Sequence, residues 1–203
     1  MRKLLVATHN KGKVTEFADM LQDMAIEWLS LDDVGVTQDV VETGHTFREN
    51  GVLKAQAYAA ETGLLTLADD SGLEVDALDG APGVYTARYG GEGLTAVQRY
   101  QKLLDDIKHV PDPQRTARFC CVIVLAAPDG TLLGEAEGVC EGRIAHAPAG
   151  NNGFGYDPVF YLPEFGQTMA QLDAAQKHQI SHRGRAMQAI APRLRALLRE
   201  STG

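Results

Sequence analysis

Five stretches of this chain hold side chains that could do chemistry on a phosphorylated molecule. The first is Thr8-His9-Asn10-Lys11-Gly12-Lys13, which lies between an apolar run and an amphipathic pattern. Read as the loop from a strand into a helix, it aims backbone N–H groups and the positive end of the helix dipole at one spot, which suits a phosphate. Lys11 and Lys13 add charge, and the Walker spacing G-x-x-x-x-G-K-[ST] is absent. A plain polar turn with two solvated lysines would read the same way. The second stretch is Glu42 together with Asp69-Asp70. Hard carboxylate oxygens suit Mg2+, which takes one or two of them plus substrate phosphates and waters. A carboxylate at the end of an α/β strand lies where such sheets place ligands. Successive strand residues face opposite sides, so if the strand persists only one of Asp69 and Asp70 can serve a ligand and the other is structural. Against this, Asp-Asp-Ser-Gly is also good turn composition.

The third stretch is Asn50 and Lys54, one helical turn apart, where Lys54 either reaches an anion beyond the helix or is simply solvated. In the fourth, Phe154-Gly155-Tyr156-Asp157, the glycine allows close backbone approach and the loop aromatic offers a face on which a base could stack. Phe154 could equally plug the core beneath the loop. The fifth is Lys177 with Ser181-His182-Arg183-Gly184-Arg185. Ser181 resembles a helix N-cap, yet cations follow in the first turn, where they oppose the macrodipole at roughly 0.3–1 kcal/mol each when exposed. A bound anion, an electron-rich base edge or an acidic neighbour would resolve that conflict. Together the clusters hold Lys11, Lys13, Lys54, Lys177 and Arg183, carboxylates suited to a metal and an aromatic stacker. That set describes a nucleoside triphosphate site with Mg2+ better than a hydrolytic triad, since no G-x-S-x-G elbow surrounds Ser71.

The elements that must position these residues can be read from periodicity. Lys3–Thr8 is an apolar run of strand type, and Val14, Phe17, Ala18 and Leu21 then recur at helical spacing. Thr46 and Glu49 form a capping box opening a helix through Leu53, Ala57 and Ala60 to a stop at Gly63. A short strand over Leu64–Ala68 ends abruptly at Asp69-Asp70-Ser71-Gly72. Gly80-Ala81-Pro82-Gly83 reads as a turn, and Thr95 caps a helix running to about Lys108. Phe119–Ala126 reads as a buried strand, followed across Asp129-Gly130 by strands at Thr131–Ala136 and Val139–Ile144. A glycine-rich loop over Ala149–Pro158 precedes a strand at Val159–Tyr161, and a last helix opened by Ser181 carries Met187, Ile190 and Leu194. Alternating strands and helices with one hairpin indicate an α/β fold with a mixed sheet, as one domain over residues 1–203. Two lobes flanking one cleft are compatible with it.

The chain has 203 residues, 44% of them hydrophobic, which is enough for a packed core and excludes disorder throughout. Its net charge of -8 and lack of a basic run argue against a nucleic-acid partner. No apolar stretch approaches the roughly 20 residues of a membrane span. The apolar run after Met1-Arg2 is too short for a signal peptide, so a mature cytoplasmic N-terminus is expected. Cys120, Cys121 and Cys140 form neither a disulfide framework nor a zinc pattern and read as buried small hydrophobes.

These segments closely resemble the inosine triphosphate pyrophosphatase family, in particular the bacterial dITP/XTP (noncanonical purine NTP) pyrophosphatases. The resemblance rests on Thr8-His9-Asn10-x-x-Lys13, Glu42-Thr43-Gly44-His45-Thr46-Phe47-x-Glu49-Asn50, Lys54-Ala55, Ala68-Asp69-Asp70-Ser71-Gly72-Leu73, Pro82-Gly83-Val84-Tyr85-Thr86-Ala87-Arg88-Tyr89, Phe154-Gly155-Tyr156-Asp157-Pro158 and Ser181-His182-Arg183. It implies a homodimer with an elongated mixed sheet flanked by helices, two lobes enclosing an active-site cleft, and Mg2+-dependent hydrolysis of ITP, dITP and XTP to the monophosphate and pyrophosphate. Carried over by position, Thr8, His9, Asn10, Lys11, Gly12, Lys13 and Lys54 grip the triphosphate. Asp70 is the catalytic acidic residue beside the substrate-touching Ser71, and Glu42 with Asp70 holds the metal. Phe154, in a loop with Gly155 and Tyr156, stacks on the purine, while Asp157, Lys177, His182 and Arg183 complete nucleotide recognition. The family often has Gly where this chain has His9, and many members have two acidic residues where Val41 leaves only Glu42.

On this reading, water attacks the α-phosphorus with Asp70 activating it directly or through the metal. His182 or Arg183 donates to the 6-oxo group of hypoxanthine or xanthine, and adenine's 6-amino donor leaves them unsatisfied. Rejecting GTP then requires exclusion of its 2-amino group. Two competing classes are a nucleotide sensor without turnover and a phosphatase of a smaller phosphorylated metabolite. The Glu42/Asp70 pair argues against the first, and Phe154 with His182-Arg183 would have no base to read in the second.

Overall fold

The computed structural model describes residues 2–200; Met1 and residues 201–203, the ends of the expected domain, lie outside the described residues. The chain runs β1 (Arg2–Val6), α1 (Lys11–Met20), β2 (Ile26–Leu29), α2 (Phe47–Thr62), β3 (Thr66–Val75), α3 (Ala96–Asp106), β4 (Thr116–Ala126), β5 (Leu132–Ile144), β6 (Phe160–Leu162), β7 (Gln167–Thr168), α4 (Ala174–Ile180) and α5 (His182–Glu200). The seven strands form one sheet in the order β2-β1-β3-β4-β5-β6-β7. Parallel pairs join β1 to β2 and to β3, and antiparallel pairs join β5 to β6 and β6 to β7. The expected α/β class with a mixed sheet is therefore present.

Two compact units divide the chain. Unit 1 comprises residues 1–70, 121–138 and 183–203, and unit 2 comprises residues 71–120 and 139–182. Each has its own apolar core. In unit 1, Leu4, Val6, Phe17, Leu67, Ile123 and Leu194 are fully buried or nearly so. In unit 2 the same holds for Leu73, Leu103, Phe119, Val159, Phe160 and Met169. Cys120, Cys121 and Cys140 are buried, as expected of small hydrophobes in a core.

Several expectations need correction. The strand expected over Leu64–Ala68 does not turn at Asp69-Asp70-Ser71-Gly72 but continues as β3 to Val75, because these polar residues find partners inside the protein instead of solvent. The two strands expected on either side of Gly138 are one continuous strand, β5. β1 stops at Val6, and α1 begins at Lys11, inside the stretch expected to be a loop. The four-residue β2, the two-residue β7 and the seven-residue α4 were not expected at all. The α2 expectation holds in detail: the Thr46–Glu49 capping box is formed, and Gly63 ends the helix at φ +67°, in the left-handed region that glycine enters without strain.

Candidate active site

In unit 1 the Thr8–Lys13 stretch is built around the start of α1. Asn10 is the N-cap, its Oδ1 accepting the Gly12 N–H at 2.9 Å, and Thr8 Oγ1 accepts the Asn10 N–H at 3.1 Å. Lys11, Gly12 and Lys13 thus form the first helical turn, so the N–H groups of the dipole's positive end lie beside two lysines. The lysines have different surroundings. Lys11 is exposed and lies near Asp33, helping hold that carboxyl below its ordinary value after the larger effect of hydrogen bonds from Ser30. Lys13 Nζ donates to both carboxylate oxygens of Asp69, each at 3.0 Å. His9 pairs through Nδ1 with Asp32 and through Nε2 with Asp39 at 3.5 Å.

The consecutive carboxylates of β3 have separate partners, as strand alternation requires. Asp69 takes Lys13 and, through Oδ2 at 3.2 Å, Arg183. Arg183 also donates to Glu16 Oε2 at 2.9 Å. Burial alone would push the Asp69 carboxyl up, but attraction to Lys13, Arg183 and Lys54 outweighs it and holds the group well below the usual carboxylate range. Asp70 instead accepts from Lys54 Nζ through Oδ1 at 2.8 Å, and the same ammonium lies 2.8 Å from Glu42 Oε1. Burial raises the Asp70 carboxyl above its ordinary value, Glu42's charge adds to the rise, and Lys54 opposes it without overcoming it. Burial also works against the charge on Lys54, but Asp70, Asp69 and Glu42 together hold its ammonium above the ordinary lysine value. Asp70 Oδ2 is buried and has no hydrogen-bond partner among the described residues.

Unit 2 brings together Phe154, Asp157 and Lys177. The Asp157 carboxylate is buried; its Oδ2 accepts from Lys177 Nζ and from the Phe154 N–H, both at 2.8 Å. The Lys177 ammonium lies 4.6 Å from the centre of the Phe154 ring, and that ring is 48% exposed. Gly153 lets the loop close over the pair, since a Cβ there would meet Asp157 Oδ2 at 2.1 Å and its φ is +76°. The neighbouring Gly155 also has a positive φ, +63°. Tyr156 differs from its neighbours: its side chain is buried and its hydroxyl donates to the Thr86 carbonyl at 3.0 Å, which makes it part of the core. His182 is buried and stacked on Phe119 at 4.8 Å between ring centres.

The structure therefore joins Lys13, Glu42, Lys54, Asp70 and Arg183 in unit 1, and Phe154, Asp157 and Lys177 in unit 2. Ser71 follows Asp70 on β3 and is half-buried. Lys11, in the first turn of α1, is exposed with Asp33 nearby. Ser181 ends α4, its N–H donating to the Lys177 carbonyl at 2.9 Å, and directly precedes α5. The conflict expected at the start of α5 is met, for Arg183, by the acidic neighbours Glu16 and Asp69; the guanidinium is 2% exposed. Sequence reasoning did not single out Glu16, although its place one turn beyond Lys13 puts it on the same helix face. Nor did it single out Phe119, whose stacking partner lies 63 residues away and leaves no local trace.

Comparison with known proteins matches residues 4–193 to the model of the Ham1 family. The dITP/XTP pyrophosphatase of Shouchella clausii is 50% identical over 190 residues, covering 94% of this chain and 95% of that protein. The dITP/XTP pyrophosphatase of Desulforamulus reducens is 51% identical over 185 residues, covering 91% and 92%. The solved structure of a Ham1 protein from Coxiella burnetii superposes with a TM-score of 0.88 at 42% identity, covering 97% of this chain and all of that one. No described helix is long and apolar enough to cross a membrane.

Proposed function

The chain belongs to the Ham1 family, and from that premise we propose that it is a nucleoside triphosphate pyrophosphatase, hydrolysing ITP, dITP and XTP to the monophosphate and pyrophosphate. The observation that carries the reading in this chain is the Lys54 ammonium held 2.8 Å from both Glu42 and Asp70, with Asp70 Oδ2 buried and unbonded. Two carboxylates around one cation are a place already built to hold positive charge. No group of three or more metal-ligating side chains exists among the described residues. Mg2+ fits such a site, because it binds through one or two carboxylates and completes its shell with substrate phosphates and waters. Glu42 and Asp70 would hold it, and when bound it would neutralise charge on the phosphate oxygens.

The chain's own residues do the rest. Lys13 donates to both oxygens of Asp69 and Lys54 donates to Asp70 with Glu42 beside it at 2.8 Å, and an ammonium, with three donors, has one left to offer a phosphate oxygen. Thr8, His9, Asn10, Lys11 and Gly12 line the start of α1 as further phosphate ligands, and Ser71 touches the substrate beside Asp70. Asp70, whose burial favours the protonated form, takes the proton of the attacking water. The exposed face of Phe154 stacks on the purine, supported by the Asp157–Lys177 pair and the backbone of Gly155 and Tyr156. His182 and Arg183 read the 6-oxo group, Arg183 from a guanidinium already oriented by Glu16 and Asp69. We take the enzyme to be a cytoplasmic homodimer on the family resemblance. The test is incubation with Mg2+ and, in turn, ITP, dITP, XTP, ATP and GTP. Pyrophosphate from the first three, with ATP much slower, is the expected result. Orthophosphate release, or no turnover, overturns the reading, and near-equal rates on ITP and ATP overturn the base-reading roles.

A further inference from the structure

Residues 36–44, which carry Glu42, form neither helix nor strand, yet from Val40 to Gly44 this strap is tied down at every second residue. The Val40 N–H donates to Tyr58 Oη at 3.0 Å, Glu42 Oε1 lies 2.8 Å from Lys54 Nζ, and the Gly44 N–H donates to Asn50 Oδ1 at 2.8 Å. Exposure follows the same period: Val40, Glu42 and Gly44 are half-buried, whereas Val41, Thr43 and His45 are exposed. Such alternation belongs to an extended chain with one side turned to the protein. The three partners, Asn50, Lys54 and Tyr58, stand at four-residue steps on α2 and so share one face of it. Two extended residues advance about 6.6 Å and four helical ones about 6 Å, so strap and helix keep step while running in opposite directions. Asn50 and Tyr58 are 1% and 2% exposed, which fixes both anchors. At Gly44 the approach leaves no room for a side chain, since a Cβ would stand 2.6 Å from both Asn50 Oδ1 and Glu49 Cβ.

Lys54 alone cannot fix Glu42, because its ammonium also donates to Asp70 and, in the proposed reaction, to a phosphate oxygen. The backbone anchors two residues before and two residues after Glu42 do not depend on that ammonium. We propose that Tyr58 and Asn50 are positioning residues, which hold the strap so that the Glu42 carboxylate is presented to the metal whether or not Lys54 is engaged elsewhere. This assignment rests on the reading above in which Glu42 and Asp70 hold Mg2+. Groups that orient a metal ligand without touching the metal set its affinity, and losing one weakens binding 10- to 100-fold in typical sites. A purely structural pair of anchors would change stability and leave the metal requirement alone.

Tyr58→Phe keeps the buried ring and removes only the acceptor of the Val40 N–H. Asn50→Ala removes the acceptor at the other end, and Gly44→Ala, which lifts the strap off Asn50, is read in its place should that variant not fold. In each, the Mg2+ concentration giving half-maximal pyrophosphate release from saturating ITP should rise about tenfold. Added Mg2+ should bring kcat back close to the wild-type value. Mn2+ titrated by electron paramagnetic resonance, with protein in excess over the α,β-methylene analogue of ITP, should show the same weakening without turnover. An unchanged metal requirement in Tyr58→Phe, or a kcat that added Mg2+ does not restore, overturns the assignment alone, provided that Glu42→Gln raises the requirement. If Glu42→Gln needs no more Mg2+ than the wild type, the metal-site reading falls and the assignment with it. A wild-type chain that releases no pyrophosphate from ITP overturns the hydrolytic reading and the assignment together.

Discussion

Asp69 and Asp70 are covalent neighbours of the same residue type on one buried strand, and their protonation energetics run in opposite directions. Asp69 faces Lys13 and Arg183, whose guanidinium also pairs with Glu16, and attraction overcomes burial. Asp70 faces a single ammonium that it shares with Glu42, so burial and a like charge win. The ratio of cations to carboxylates in each group decides the outcome, not residue type or depth. A carboxylate locked into its charged form is a structural tie, whereas one raised above its ordinary value takes up a proton more readily.

The largest consequence concerns turnover. Asp70→Asn should lower kcat on ITP by about 1,000-fold, while isothermal titration still detects nucleotide binding; near-normal turnover would erase the functional half of the contrast. Asp69→Asn should show the reverse profile. It leaves Arg183 and Lys13 short of a buried countercharge, so urea unfolding should reveal a loss of roughly 3–5 kcal/mol, and a fully stable variant would show that Asp69 is no tie.

Acid sensitivity separates the two further. The folded Asp69 carboxyl is depressed, so its contribution is present above the unfolded value near pH 4 and is lost as pH falls toward the folded one. Asp70 is raised, so its ionised form weakens the fold above its folded value, and acidification toward the unfolded value relieves that. Stability measured below pH 4 should therefore decline less steeply in Asp69→Asn than in the wild type. A smaller effect is expected of Glu42→Gln, which removes the like charge beside Asp70. Carboxyl NMR of the metal-free protein should place the Asp70 titration lower, and an unchanged or higher value would mean that Glu42 does not act on it. Least disturbing to the fold is Phe154→Ala in unit 2. Its ring is half exposed, so the melting temperature should hardly move, while the KM for ITP rises about tenfold, as loss of one base-stacking contact predicts. An unchanged KM would remove Phe154 from the base site.

What could be read along the chain was whatever is encoded within one turn or one pair of neighbours. Thr46 and Glu49 announced α2, Gly63 announced its end, and alternation alone required that Asp69 and Asp70 part company. The Asp173–Gln176 capping box of α4 was an equally local signal that went unread. Composition misled at Asp69-Asp70-Ser71-Gly72, where turn-forming residues sit inside a ten-residue strand. Their partners come from 16 residues away at Lys54, 56 at Lys13 and 114 at Arg183, beyond the reach of any window.

From the order of residues alone follow the α/β class, the family and the inventory of side chains able to meet phosphate, metal and base, because helix caps, alternation and motif spacing are properties of short chain segments. Which of two adjacent aspartates is a fixed anion, and that Arg183 is gripped by Glu16, follow from folding. Those outcomes depend on desolvation and on charges brought together from distant segments, and both come into being when the core closes.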